Sequence, residues 1–250
     1  MQKIIASKLD KIEKNEDVRI IFAVESGSRA WGFESPDSDY DVRFVYVRPK
    51  SYYLKLEQTR DVIEWQLDET LDINGWDLSK ILRLLHKSNP TIFEWSNSPI
   101  VYRQTNDWKK IANVLSDYFS AKSGSHHYIN MATGNYRKYL KNDEVRLKKY
   151  LYVLRPILAC KWIINEQTPP PMQFSKLVKS KLDNPAIKNI VEDLLKRKIT
   201  GAELTTSKRI DTLNEYIEEN ISLLKYAINN MPKESAKSWD KLNELFTSII

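Results

Sequence analysis

The chain has 250 residues and a mass of 29.4 kDa, with 42% apolar and 29% charged side chains, 6 glycines and a formal charge of +6. Such a composition excludes disordered and fibrous classes and suits one large domain or two small ones. Its single cysteine, Cys160, excludes an internal disulfide framework and a cysteine-built zinc site, and no apolar run reaches the ~18 residues of a membrane span.

Residues 1–14 read as an amphipathic helix without the apolar core and cleavage site of a signal peptide, so the expected setting is the cytoplasm, with no membrane partner. Residues 18–25 (VRIIFAVE) form a β-branched apolar run typical of a buried strand. It stops at Ser26-Gly27-Ser28; a short helical segment is expected over 29–33, then a turn at Ser35-Pro36-Asp37-Ser38. Residues 40–47 (YDVRFVYV) predict a second strand, ended by Arg48-Pro49, and a third includes Leu71-Asp72-Ile73. Asp77 is placed to N-cap a helix over 78–87, whose Ile81, Leu82, Leu84 and Leu85 make an apolar stripe and which Asn89-Pro90 ends. From Trp108 onward the pattern is almost wholly helical, with helices expected over 136–140, 147–164, 185–198 and 207–230. Pro169-Pro170-Pro171 makes the clearest break. The expected organisation is an α+β domain over 1–105 and a helical region over 106–250.

Charge is unevenly placed. Residues 1–105 carry 15 basic and 17 acidic side chains, whereas 106–250 carry 24 and 16. Within 137–161 alone, eight basic residues (Arg137, Lys138, Lys141, Arg146, Lys148, Lys149, Arg155 and Lys161) face only Asp143 and Glu144. By itself such a run is more often a solvated helix face, but concentrated positive charge also attracts polyanions through counterion release.

The segment that carries chemistry runs from Glu25 to Arg43, ESGSRAWGFESPDSDYDVR. An apolar strand enters Gly27-Ser28, and ten residues later Asp39-Tyr40-Asp41 opens the next strand. Residues i and i+2 of a strand share a face, so Asp39 and Asp41 present paired carboxylates. Such a pair needs a neutralising cation, and Mg²⁺ or Mn²⁺ is its natural partner. Gly27 lets the backbone turn sharply and approach a ligand, while the Gly27 and Ser28 amides, the Ser28 hydroxyl and the following helix start suit phosphate oxygens. Cradle and carboxylates together match the needs of two-metal phosphoryl or nucleotidyl transfer. Arg43, on the face of Asp39 and Asp41, reads equally as a neutralising group or a triphosphate contact; Arg29 carries the same two readings.

Gly-Ser, ten residues, then Asp-x-Asp in an apolar strand resembles the signature of the DNA polymerase β-type nucleotidyltransferase superfamily. The longer stretches GSRAWGFESPDSDYDVRFVYVRP, LDINGWDLSKILRLLHKSNPTIFEWSNSPIVY and YLYVLRPILACKWI resemble a bacterial and phage family within it. That family is the YcgL-like, RNA-repair-pathway polymerase β family (RlaP), and the similarity covers roughly residues 18–180. The resemblance implies a small mixed sheet with flanking helices, followed by a helical C-terminal region. It implies that Gly27 and Ser28 hold the phosphates of a nucleoside triphosphate, that Asp39 and Asp41 bind two divalent ions, and that a third carboxylate helps activate an acceptor hydroxyl. Asp72 is preferred for that third role over Glu64, Asp68 and Asp77. Basic residues on the helical region are expected near the triphosphate, Lys149 first, with Arg146 and Arg155 beside it on a shared helical face. Arg146, Lys148 and Lys149 are candidates for a nucleic-acid acceptor, with Tyr136, Tyr139, Tyr150 and Tyr152 as stacking groups or, more simply, packing residues. The implied reaction transfers NMP to an RNA or other nucleic-acid end and releases pyrophosphate. Two alternatives stand beside it: AMP transfer from ATP to a protein, as in antitoxin-like members, and a non-catalytic nucleotide- or nucleic-acid-binding module. His126-His127 is expected at a loop or helix start, and Cys160 as a small apolar packing group.

Overall fold

The computed structural model describes residues 1–57, 59–68, 70–201 and 206–250, and over 66–68 the description covers the backbone. Along the chain, α1 (Gln2–Glu16), β1 (Arg19–Glu25), α2 (Gly27–Trp31), β2 (Tyr40–Val47), α3 (Lys50–Tyr53), β3 (Val62–Asp68) and β4 (Leu71–Asp77) come first. Then follow α4 (Leu78–His86), α5 (Pro90–Ser96), β5 (Val101–Gln104), α6 (Asn106–Ala112), α7 (Leu115–Tyr118), α8 (Ala121–Tyr139) and β6 (Glu144–Arg146). The chain closes with α9 (Lys148–Glu166), α10 (Phe174–Lys181), α11 (Pro185–Ile199), β7 (Thr206–Lys208), α12 (Asp211–Asn229) and α13 (Asp240–Ile249). None of the helices, among the described residues, is long and apolar enough to cross a membrane.

The packing forms two compact units, one of residues 1–30, 39–119 and 236–250, the other of 31–38 and 120–235. This division runs elsewhere than the 1–105 and 106–250 expected from the pattern of strand and helix signals. Trp108 and Ile111 of α6, Leu115 of α7, and Leu242 and Ile249 of α13 all enter the core of the first unit. A helix joins whichever apolar surface its stripe can cover, and position along the chain does not encode that choice.

In the first unit a five-stranded mixed sheet has the order β3-β4-β2-β1-β5. β1 is antiparallel to both β2 and β5, β3 is antiparallel to β4, and β2 and β4 are parallel. Alternation along the strands makes two cores. Val42, Phe44 and Tyr46 of β2 and Leu71 and Ile73 of β4 pack on one face with Ile5, Leu9 and Ile12 of α1. Val45 and Val47 pack on the other with α4 to α7 and α13. On that second face β2 begins with Asp41 and Arg43, and β4 with Asp72 and Asn74, so one end of the parallel pair is polar and the other apolar. The expected cap is present: Asp77 Oδ1 accepts a hydrogen bond from the Ser79 amide at 2.7 Å, and Tyr53 Oη donates to Oδ2 at 2.9 Å. β3 and β5, the two edge strands, were not anticipated; β5 is only four residues long.

In the second unit α8 and α9 lie along one another, with α10 and α12 against α9. Pro156 sits inside α9 and has no N–H for the carbonyl of Tyr152 four residues earlier. The Asn135 side-chain amide of α8 donates to that carbonyl at 3.3 Å, which satisfies it. The helix expected over 207–230 begins only at Asp211, because Thr206–Lys208 pairs antiparallel with the distant strand Glu144–Arg146 as a small two-stranded sheet. His126-His127, expected at a loop or helix start, lies within α8, five residues after it begins at Ala121.

Gly75 tests the sheet. A Cβ there would meet the buried Phe44 ring at 2.2 Å. Gly75→Ala is expected to lower stability by about 1–3 kcal/mol, the usual cost of overpacking, as read by urea unfolding.

Candidate active site

β1 ends where Gly27 takes φ +59°, in the left-handed region that glycine enters without strain. The turn folds directly onto β2. The Ser26 amide donates to the Asp41 carbonyl at 2.8 Å, and a Cβ on Gly27 would stand 1.9 Å from Asp41 Oδ2. Only a residue without a side chain leaves room for that carboxylate.

Asp41 and Asp72 are register partners in the parallel pair β2 and β4, so the two carboxylates stand level on neighbouring strands. Arg43 bridges them. Its Nη2 donates to Asp41 Oδ1 at 3.0 Å and to Asp72 Oδ2 at 2.9 Å, while Nη1 donates to the carbonyls of Val42 (3.1 Å) and Asp72 (3.2 Å). Of the two readings of Arg43, the neutralising one is what the geometry displays. Burial pushes the Asp41 carboxyl above its ordinary pKa against the opposing pull of Arg43, and the charges of Asp72 and Asp39 push it further up.

Asp39 lies one residue before β2 and is exposed. Its carbonyl accepts from Arg29 Nε at 3.1 Å, and the Arg29 guanidinium lies 3.7 Å from the centre of the Tyr40 ring. Ser28 is half-buried in the short helix α2. Among the other carboxylates weighed as the third acid, Glu64 pairs with Arg60 at 3.2 Å and Asp77 is the buried cap of α4, while the Asp68 side chain is outside the described residues. Asp72, 51% exposed, is the one that stands beside Asp41.

The donor set suits a hard divalent cation, because carboxylate oxygens from Asp41 and Asp72 already converge on one cationic nitrogen. Among the described residues no three His, Cys, Asp or Glu side chains are gathered to hold a metal ion, so Asp39 stands apart from the converging pair.

The basic candidates belong to the second unit. Arg146 is exposed on the strand β6, not on a helical face shared with Lys149, because α9 starts at Lys148. Lys148 is half-buried, and Lys149 Nζ lies over the rings of Tyr139 (4.2 Å) and Tyr152 (5.1 Å). Arg155 is 3% exposed, with its guanidinium 4.5 Å from the Trp31 ring centre, so it is a packing residue in this unit. Tyr136 and Tyr150 are buried and donate to Glu218 and Asn214. Cys160 is buried, and burial pushes its thiol up to about 12.

Sequence reasoning passed over Glu25 and Tyr102. Glu25 ends an apolar strand and is 0% exposed; its Oε1 accepts from the Asp41 amide at 2.7 Å and its Oε2 from the Tyr102 hydroxyl. A lone acid closing the run VRIIFAVE was the signal available.

A glycine turn set against a carboxylate pair on a mixed sheet is the arrangement of a polymerase β-like nucleotidyltransferase. The chain belongs to the RNA repair pathway DNA polymerase beta family, whose model it matches over residues 1–248. A relative from Bacillus subtilis (strain 168), named "Uncharacterized protein YcgL", is 44% identical over 251 residues, covering 100% of this chain and 96% of its own. The crystal structure of a nucleotidyltransferase-like protein from Exiguobacterium sibiricum 255-15 is 12% identical, with a TM-score of 0.32 over 97% of this chain and 87% of that one, too low a score to equate positions.

Gly27→Ala is expected to cost about 1–2 kcal/mol for the left-handed conformation alone, with the Asp41 clash added. Gly134→Ala is the control: a Cβ built there, in the middle of α8, meets nothing within 4 Å beyond its chain neighbours and the helix's own backbone, and stability should rise by about 0.5–1 kcal/mol. Denaturant unfolding of both variants checks the pair.

Proposed function

We propose that the protein transfers an NMP group from a nucleoside triphosphate to an acceptor hydroxyl, with an RNA or other nucleic-acid end as the acceptor. The observation that carries this reading is the level pair Asp41 and Asp72 set against the Gly27 turn. The Gly27 and Ser28 amides and the Ser28 hydroxyl take the phosphate oxygens, with Arg29 at the edge of the same turn. Asp41 and Asp72 would hold divalent ions, Mg²⁺ or Mn²⁺, two in the full complement, and Asp39, exposed just before β2, would be drawn to them as the ions bind. When bound, such ions supply charge neutralisation of the phosphates and polarisation of the reacting oxygens. Asp72, the more exposed of the bridged pair, accepts the proton of the attacking hydroxyl. That oxygen bonds to the α-phosphorus as the bond to the bridging oxygen breaks, and pyrophosphate leaves. Arg43 keeps the carboxylates charge-balanced in the protein alone and is available to the triphosphate once another cation takes its place.

A nucleic-acid acceptor is supported by charge. Arg137, Lys138, Lys141 and Arg146 are exposed on the second unit, and Lys148 and Lys149 follow at the start of α9.

Incubation with each labelled NTP, Mg²⁺ and a mixed RNA pool should label RNA and release pyrophosphate. Label on a protein band would transfer the reading to a protein acceptor, and nucleotide binding without pyrophosphate release would leave a binding module. Asp39→Asn, Asp41→Asn and Asp72→Asn should each cut the transfer rate by more than about 100-fold, beyond the 10–100-fold typical of outer-shell partners. Full activity in any of them removes that residue from the site. Reversing Lys148 and Lys149 to glutamate should flatten the dependence of log K on log salt by about 1.4 for single-stranded RNA. An unchanged slope would make these two lysines part of a solvated face.

A further inference from the structure

The N-terminal end of β2 has a gap in its hydrogen bonding. Tyr40 donates its amide to the Thr70 carbonyl on the β4 side at 2.8 Å, so the amide of Asp41, the next residue, points toward β1. There β1 has already turned away at Gly27, and its last register pair is Glu25 with Val42. Among the described residues no strand carbonyl meets the Asp41 amide. The side chain of Glu25 does, at 2.7 Å.

Glu25 is itself held at both its side chain and its backbone. Tyr102 of β5 donates its hydroxyl to the second oxygen. The Glu25 amide donates to the Ile100 carbonyl at 3.0 Å, and the buried Ser98 hydroxyl donates to the Glu25 carbonyl at 2.6 Å. Glu25 follows Ala23 on the α1 face of the sheet, whereas the Asp41 carboxylate lies on the opposite face beside Arg43 and Asp72. Glu25 is fully buried, with both of its oxygens engaged, so it does not reach substrate.

We infer that Glu25, oriented by Tyr102, is a positioning residue: by completing the hydrogen bond of the Asp41 amide it sets where the Asp41 carboxylate stands against the Gly27 turn. Its functional consequence rests on the reading of Asp41 as a cation-binding carboxylate given above. The clearance is small, since Asp41 Oδ2 occupies the very space a Cβ on Gly27 would need. Release of the amide lets the start of β2 shift, and the carboxylate moves with it. The role requires an acceptor at the reach of a glutamate side chain and does not require its charge.

Two substitutions separate reach from charge. Glu25→Gln keeps the length and an acceptor oxygen, and its amide can donate to Tyr102; Glu25→Asp keeps the charge but is one methylene too short. The full chain with either substitution is titrated with Mn²⁺ by electron paramagnetic resonance. In parallel, the Asp41 amide exchange rate is measured on ¹⁵N-aspartate-labelled protein, its signal assigned by its loss in Asp41→Asn. Glu25→Gln should hold Mn²⁺ affinity within about threefold of wild type and keep the amide slow. Glu25→Asp should weaken Mn²⁺ by about 10–100-fold, the range for partners that orient a metal-binding group, and speed the Asp41 amide at least tenfold. Wild-type behaviour of Glu25→Asp, or equal losses in both variants, overturns the inference. Should Glu25→Asp not fold, Tyr102→Phe takes its place: it frees the second oxygen, and an Asp41 amide no faster than wild type overturns the inference equally. If Asp41→Asn binds Mn²⁺ as wild type does, the cation reading of Asp41 fails, while the exchange rates still decide whether Glu25 holds its amide.

Discussion

Parallel pairing of β2 with β4 is the constraint from which the rest of the site follows. It brings Asp41 level with Asp72, and a slip of one residue would turn every side chain of one strand to the opposite face. The register is held by residues remote from the chemistry. Val42, Phe44, Leu71 and Ile73 are buried on the α1 face, and each contributes about 1.5–3 kcal/mol by leaving water. Against them stands the mutual repulsion of two neighbouring, partly exposed carboxylates. Apolar burial therefore dictates where the anions lie, and Arg43, paired with both, offsets their repulsion.

The end of β1 shows the same division of labour. A strand that turned one residue later would offer its own backbone to Asp41 and leave no turn at Gly27. By turning early, the chain opens a backbone surface beside a carboxylate and leaves one β2 amide to be met by a side chain. Glu25 meets it from the buried face, so the polar requirement of the backbone is satisfied without crowding the side where Asp41 and Asp72 stand.

In the helical unit, residues that look alike in sequence divide by burial. Of the basic side chains between 137 and 161, Arg155 is sealed under Trp31 and Lys161 donates to Tyr216 at 3.0 Å, while Arg137, Lys138, Lys141 and Arg146 remain exposed. The stretch is thus not one continuous stripe. Pro156 interrupts the backbone bonding of α9, a helix buried along most of its length, and is tolerated because Asn135 supplies the missing donor from α8.

Local chemistry was legible from residue order. The bounds of β2, the cap at Asp77, the sharp bend at Gly27 and the exposure of Asp72 between Leu71 and Ile73 depend on alternation, side-chain size and backbone freedom, which are properties of neighbours in the chain. Illegible were the associations that depend on which surfaces meet: the level of Asp41 with Asp72, the return of α13 to the first unit's core, the pairing of β6 with β7, and the burial of Arg155. Glu25 stands on that line. Its type and place were in plain view at the end of VRIIFAVE, but an acid there reads as a strand terminus until β5 and β2 close around it, because a hydrogen bond spanning 16 positions leaves no periodic trace.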